Sequence, residues 1–150
     1  AYGVIAGQVV DIESEKGNVQ GDKGETLEYI HTHKTADLFK LALRTGAIIA
    51  NATDEQINEI TEFGQILGVA FQIADDILDE ISTFEEMGKT LGKDKNAGKL
   101  TYTSLYGLDE SKNKLSCLLD NCYDIIRKFD IKSEVFVEII SGIKKRVGIK

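Results

Sequence analysis

Apolar residues recur at helical spacing along most of the chain, and polar residues fill the positions between them. This pattern predicts helices over residues 2–15, 25–50, 54–81, 109–128 and 133–147, and a short helix beginning near Thr101. Asp54 is expected to cap the third of these helices. The chain contains no proline and long stretches of good helix formers, which favours an all-α fold. Helices of about 25 residues exceed the mean of globular proteins and indicate a large bundle.

The bulk composition excludes several classes of protein. The 150 residues are 42% hydrophobic and 29% charged, which suits one globular domain with a buried core. A net charge of −7 argues against nucleic-acid binding, which usually needs a basic surface. Two cysteines do not make a disulfide framework, and no apolar run has transmembrane length or the layout of a signal peptide. We therefore expect a cytoplasmic protein without a stable membrane anchor.

Three aspartates cluster late in the third predicted helix, at Asp75, Asp76 and Asp79. Asp75 and Asp79 are four residues apart and share a helix face, where like charges repel each other. The helix dipole disfavours anions near a C-terminus, and the apolar neighbours reduce hydration. Mg²⁺ would compensate these costs, because it binds one or two carboxylates together with water and substrate phosphates. The alternative is a solvated acidic helix end.

A lysine interrupts an apolar row of the second predicted helix. The apolar members of this inward row are Leu27, Ile30, Leu38 and Leu41. Lys34 lies in the same row and needs an anionic partner if its ammonium is buried, and Thr35 could add a hydroxyl to the same anion. The alternative is snorkelling, in which the stem is buried while the ammonium reaches water.

The segment from Gly88 to Lys99 contains three Gly-Lys pairs. Glycine lets the backbone approach an anion closely, and the ammonium groups contribute charge, so the segment suits a diphosphate bridged by metal ions. The glycine spacing is not that of a P-loop, and no strand precedes it. A solvated flexible loop is the alternative.

Two other polar groupings are weaker signals. Gln8 and Asp11 share a face of the first predicted helix, which ordinary surface polarity also explains. His31 and His33 are two residues apart, so on a helix they point in different directions and cannot bind one ion together. We interpret both histidines as structural or incidental.

Taken together, these segments resemble the trans-isoprenyl diphosphate synthase family, which includes farnesyl and geranylgeranyl diphosphate synthases. The similarity runs nearly from end to end and follows the family's order of motifs. The matching segments are Gly7–Asp11 (GQxxD), His31–Leu38 with its Lys34-Thr35 pair, Gly68–Asp79 (GxxFQxxDDxxD), Gly88-Lys89, and Gly98–Tyr102 (GKxTY).

The resemblance implies an all-α, isoprenoid-synthase-type helical bundle around a central cavity, with two facing aspartate-rich motifs. It implies a Mg²⁺-dependent prenyltransferase that condenses an allylic diphosphate with isopentenyl diphosphate to a longer trans-prenyl diphosphate. Asp75 would ligate Mg²⁺, with Asp76 and Asp79 assisting directly or through water. The allylic diphosphate would be surrounded by Lys34, Thr35, Gln72, Lys89 and Lys99, and the catalytic residues would be Lys34 and Asp75.

The sequence also departs from the family pattern. The first aspartate-rich motif is absent, so we expect residues 1–150 to be the C-terminal part of a single polyprenyl synthase domain and to be inactive alone. Ala36 stands where glycine is common after the Lys-Thr pair, and Thr103 stands where the family has proline. The family norm implies a homodimer.

Three alternatives compete with this interpretation. A non-catalytic regulatory subunit of a heteromeric prenyltransferase predicts degraded motifs, whereas the motifs are intact here. An acidic helical interaction protein leaves Lys34 unexplained. A terpene cyclase also uses a DDxxD motif, but the segment from Gly88 to Lys99 suits it less well.

Overall fold

The computed structural model describes residues 3–19, 21–87, 99–128 and 134–149. All regular structure within these ranges is helical, which confirms the predicted all-α class. His31–Ala36 forms a π-helical stretch, called the π segment below. The α-helices are α1 (Val4–Glu15), α2 (Lys23–Ile30), α3 (Asp37–Ile49), α4 (Asp54–Met87), α5 (Tyr102–Tyr106), α6 (Leu108–Arg127) and α7 (Glu134–Arg146).

The longest of these helices, α4, holds the bundle together. It packs along α3 and α6 and against the π segment. The core side chains on α4, α6 and α7 include Phe63, Leu67, Ile73, Ile77, Leu115, Leu119 and Ile140. Each contributes about 1.5–3 kcal/mol by leaving water, so this core fixes the position of the helix that carries the three aspartates. No helix in the described part of the chain is long and apolar enough to cross a membrane.

Polar caps set the starts of two helices. The α5 helix starts after Thr101, whose hydroxyl accepts from the Ser104 amide at 3.1 Å, and the Ser104 side chain accepts from the Thr101 amide in return. This capping box confirms the short helix predicted near Thr101. The expected cap at Asp54 is wrong by one residue. Thr53 and Gln56 make the reciprocal bonds that open α4, because Asp54 is already its first helical residue.

The second predicted helix is correct in extent but wrong in its inward row. Leu27 and Ile30 are buried as expected, whereas Leu38 is 49% exposed and Leu41 is 63% exposed. The π segment lies between the two pairs, and its wider i→i+5 turn shifts the helix register for every later residue. The side chains that turn towards the core after it are Phe39, Leu43 and Ala47.

The π segment is held between α1 and α4 by two glycines. A Cβ at Gly7 would overlap the backbone nitrogen of Lys34. A Cβ at Gly68 would lie 2.5 Å from the Cα of Ala36, which is closer than non-bonded carbons approach. Both glycines therefore permit backbone-to-backbone contact on either side of the π segment.

Candidate active site

One side of α4 faces the π segment through Gly68, Gln72 and Asp76, which are four residues apart and are called the inner row below. The hydroxyl of Thr35 donates to the Gln72 side-chain oxygen at 2.9 Å. The Gln72 amide then donates to Asp76 Oδ1 at 3.3 Å. The side chains of Thr35, Gln72 and Asp76 therefore form one connected hydrogen-bond chain.

Asp76 is the last member of this series of hydrogen bonds and is buried in the protein interior. The residue is only 2% exposed, and its Oδ2 accepts from the backbone amide of Tyr102 at 2.8 Å. His31 Nε2 lies 3.3 Å from the same oxygen, and His31 is 4% exposed. A buried carboxylate is costly unless donors surround it, and here one side-chain amide and one backbone amide donate to it, with the His31 imidazole beside them.

Lys34 turns away from α4 and pairs with α1. Its Nζ lies 2.5 Å from Asp11 Oδ2, and the Asp11 side chain is 8% exposed while that of Lys34 is 33% exposed. The predicted anionic partner of Lys34 is thus present within the described residues. The partly exposed ammonium leaves room for contacts beyond this carboxylate.

The neighbouring side of α4 carries Phe71, Asp75 and Asp79, called the outer row below. Both aspartates are exposed, and Asp79 Oδ2 lies 3.8 Å from Lys99 Nζ. Partial burial raises the pKa of the Asp75 carboxyl, and the charge of Asp79 raises it further, against an opposing effect of Lys99. The outer row therefore bears negative charge that the protein compensates only in part.

The predicted site residues thus divide between two adjacent rows. Thr35, Gln72 and Asp76 lie together on the inner side, and Asp75 and Asp79 lie on the outer side with Lys99 beside them. Lys89 lies outside the described residues. Within the described residues no group of three or more His, Cys, Asp and Glu side chains has the geometry of a metal cluster.

The sequence interpretation missed two contributors to this site. The expectation that His31 is structural or incidental did not identify Asp76 as its neighbour, although His31 lies four residues before Thr35 and both face the inner row. The Tyr102 backbone amide carries no side-chain signal at all. The spacing of His31 and Thr35 was the available signal, but its meaning depends on the partners on α4.

A cavity of about 520 Å³ lies beside the inner row. His31 and Tyr102 form part of its wall, with their rings stacked at a centroid distance of 6.4 Å, and apolar residues of α4 such as Ile66 and Ile73 line another part. Burial raises the pKa of the Tyr102 phenol, and neighbouring Tyr106 and Glu110 raise it further. The phenol therefore stays neutral and can serve as a hydrogen-bond donor over the physiological pH range.

Comparison with known proteins gives a consistent result. The family described as polyprenyl synthetase matches residues 1–140. Geranylgeranyl pyrophosphate synthase 7, chloroplastic, of Arabidopsis thaliana is 46% identical over 129 residues, which are 85% of this chain and 37% of that protein. The heterodimeric geranylgeranyl pyrophosphate synthase large subunit 2 of the same plant is 50% identical over 110 residues, 73% of this chain and 29% of that protein.

A solved structure agrees with these relatives. A geranyltransferase from Helicobacter pylori, complexed with magnesium and isoprenyl diphosphate, superimposes with a TM-score of 0.72 at 26% identity. The superposition covers 99% of this chain and 48% of that one. The chain therefore spans less than half the length of each of these three proteins.

Proposed function

Because the chain belongs to the polyprenyl synthetase family, we propose that its protein is a Mg²⁺-dependent prenyltransferase that condenses an allylic diphosphate with isopentenyl diphosphate. The product is a longer trans-prenyl diphosphate. Residues 1–150 are the C-terminal part of a single polyprenyl synthase domain in this proposal, and the first aspartate-rich motif is supplied by an N-terminal part. The observation that carries the proposal is the outer row, where two exposed carboxylates are only partly neutralised.

The donors of the outer row fit a hard divalent cation. Asp75 and Asp79 share one helix face, and the raised pKa of Asp75 reports burial and repulsion that a cation would relieve. These two side chains would hold Mg²⁺, and Asp76 would assist through water. When bound, the metal neutralises negative charge on the substrate diphosphate.

The basic and polar residues act on the diphosphate in this proposal. Lys34, Lys89 and Lys99 bind its oxygens and balance the charge that grows as the allylic C–O bond breaks and the electron pair departs with the diphosphate. Thr35 and Gln72 orient the same group. The double bond of isopentenyl diphosphate attacks the allylic carbon, a C–C bond forms, and loss of a proton restores a double bond.

The test is a condensation assay on the full-length protein with Mg²⁺, an allylic diphosphate and isopentenyl diphosphate. Asp75→Ala and Lys34→Ala should each lower turnover by about 10²–10³-fold, because each removes charge stabilisation at the departing diphosphate. Glu62→Ala, an exposed carboxylate on the same helix, is the matched control and should keep normal turnover. Near-normal turnover in both site variants would refute the assigned roles.

A regulatory subunit of a heteromeric prenyltransferase is retained as the second candidate. One relative is named as the large subunit of a heterodimeric synthase, which supports the heteromeric assembly that this candidate requires. The same assay separates the two functions. A regulatory subunit would show no condensation alone and would change the turnover of a partner subunit, with Asp75→Ala having no effect on that change.

Homodimer formation and a cytoplasmic location are parts of the same proposal. Ile5, Val9 and Ile12 lie along α1 and are 75%, 54% and 40% exposed, which supports a partner surface on this helix. Light scattering of the full-length protein tests the assembly, and a monomer would contradict it. A cell fraction other than the cytosol would contradict the location, which matters because one relative is named as chloroplastic.

A further inference from the structure

Asp76 is the most enclosed carboxylate of the three-aspartate motif. It is 2% exposed, whereas the Asp79 side chain is 52% exposed. Replacing a buried ionic group with a well-packed apolar one is often neutral or stabilising, so burial alone does not explain an aspartate here. Its contacts have to account for it.

Those contacts tie three parts of the chain together. Asp76 lies on α4, His31 lies in the π segment, and the amide of Tyr102 belongs to the first residue of α5. An apolar side chain could fill the same space, but it could not accept the Tyr102 amide. Asp76 therefore holds the first residue of α5 against α4.

The position of Tyr102 limits where Lys99 can lie. Lys99 is three residues before Tyr102, and its Nζ lies 3.8 Å from Asp79 Oδ2 on the outer row. A short backbone link of three residues reaches at most about 11 Å when fully extended, so a shift of Tyr102 is passed on to Lys99. The inner row thus positions a cation of the outer row.

We infer that His31 is a positioning residue for prenyl transfer, which holds Asp76 on the Tyr102 amide and thereby keeps Lys99 beside Asp79. The ring atom that faces Asp76 is Nε2, 3.3 Å from Oδ2, and in this proposal it carries the hydrogen because a carboxylate only accepts. His31 touches neither substrate nor metal in this role. Its kinetic consequences rest on the proposed function, but its structural consequence does not.

The first measurement is hydrogen exchange at the Tyr102 amide of the full-length protein, resolved by fragmentation within the peptide that contains it. His31→Leu should speed this exchange by about tenfold or more, because Asp76 loses the donor that holds it in place. His31→Gln keeps a side-chain N–H donor and should restore most of the protection. His33→Leu, in the same π segment, should leave the exchange within about twofold.

A reference amide separates local opening from general destabilisation. The Leu119 amide in α6 belongs to a fully buried residue far along the chain from this contact, and its exchange should not change in any of these variants. If His31→Leu does not fold, His31→Phe decides the question, since it keeps a buried planar ring but has no N–H donor. Unchanged Tyr102 exchange in the folded variant overturns the inference.

The second measurement determines KM and kcat separately for the wild type and the His31 variants. His31→Leu should raise the KM for the allylic diphosphate by about tenfold with a smaller loss in kcat, because a displaced Lys99 weakens diphosphate binding. His31→Gln should recover most of the affinity. A wild-type protein without condensation activity would defeat the proposed function and leave the exchange experiment to decide the inference, whereas an active His31→Leu enzyme with normal KM would defeat the inference alone.

Discussion

The inner and outer rows of α4 are one residue apart around the helix, yet their environments differ in kind. In the inner row, Gly68 meets backbone, while Gln72 and Asp76 meet donors within the protein. In the outer row, Asp75 and Asp79 are exposed, and the pKa of Asp75 is raised. The comparison teaches that one aspartate-rich motif serves two purposes: one carboxylate completes the fold in the interior, and the other two place negative charge on the surface of the helix.

The largest effect on stability is expected where the inner row has no room. Gly68→Ala should destabilise the protein by about 2–3 kcal/mol or more, because the new methyl group would meet the Cα of Ala36 at 2.5 Å. Gly46→Ala on α3 is the control. Nothing lies within 4 Å of its added Cβ, so alanine should stabilise the helix by about 0.5–1 kcal/mol. Urea denaturation measures both, and equal effects would remove the basis for treating the inner row as close-packed.

A smaller effect should reveal the raised pKa of Asp75 in the outer row as a pH dependence of stability. Because the pKa of Asp75 is raised in the folded state, the ionised carboxylate disfavours folding above that pKa, and the penalty disappears as the group is protonated at lower pH. Asp75→Asn should therefore increase stability at neutral pH by about 0.2–0.5 kcal/mol, with no gain in acid. Urea denaturation curves of the wild type and the variant between about pH 3 and pH 8, a range that includes the ordinary aspartate pKa, give the difference in the free energy of unfolding.

Asp37 provides the contrasting case for that measurement. Burial would raise the pKa of its carboxyl, but hydrogen bonds from Lys40 at 2.6 Å and from His33 at 2.9 Å outweigh burial and lower it. Asp37 therefore adds stability above its unfolded pKa, and this is lost as pH falls through the folded pKa. Asp37→Asn should destabilise at neutral pH by less than about 1 kcal/mol after solvent screening, with no effect in acid. Shifts of the same sign for Asp37→Asn and Asp75→Asn would contradict the distinction.

A buried thiol reports on the core behind α4. Burial raises the pKa of Cys122 to about 12, whereas Cys117 is exposed. An alkylating reagent should modify Cys117 at least about 100-fold faster, because the thiolate is the reactive form and Cys122 has to be uncovered first. Gly68→Ala should accelerate Cys122 modification and Asp75→Asn should not. Peptide mass spectrometry follows each thiol separately.

The hydrophobic pattern predicted helices such as α4 and α6 well because tertiary packing buries one apolar side of each. It could not predict the π segment, since nothing in the residues His31–Ala36 marks an i→i+5 turn, and a regular helix was the simplest continuation. The error appeared directly after this segment, at Leu38 and Leu41, which were expected inside but are exposed. The spacing of apolar residues along the sequence is a poor guide to helix type when tertiary contacts on two sides of a helix decide its register.

The candidate site could also be predicted from the sequence only as far as tertiary contacts did not decide it. The sequence identified Asp75, Asp76 and Asp79 as a costly cluster and Lys34 as a cation in need of a partner. It could not tell that Asp76 turns inward, or that the partner is Asp11, 23 residues earlier. Both facts depend on how the helices lie against one another, and that geometry follows from close contacts such as those at Gly7 and Gly68.

The π segment has a consequence for how this stretch of chain can change in length. Each residue advances an α-helix by about 100°, so the extra residue in a π turn sets the rotation of α3 relative to α2. Deleting one residue between His31 and Ala36 would let the stretch rewind into a regular α-helix, and Phe39 and Leu43 would still face the core because each moves back by one position in a helix without the extra residue. A one-residue deletion in this stretch should therefore leave the core side of α3 unchanged, whereas the same deletion inside α3 would turn its later core residues outward by about 100°.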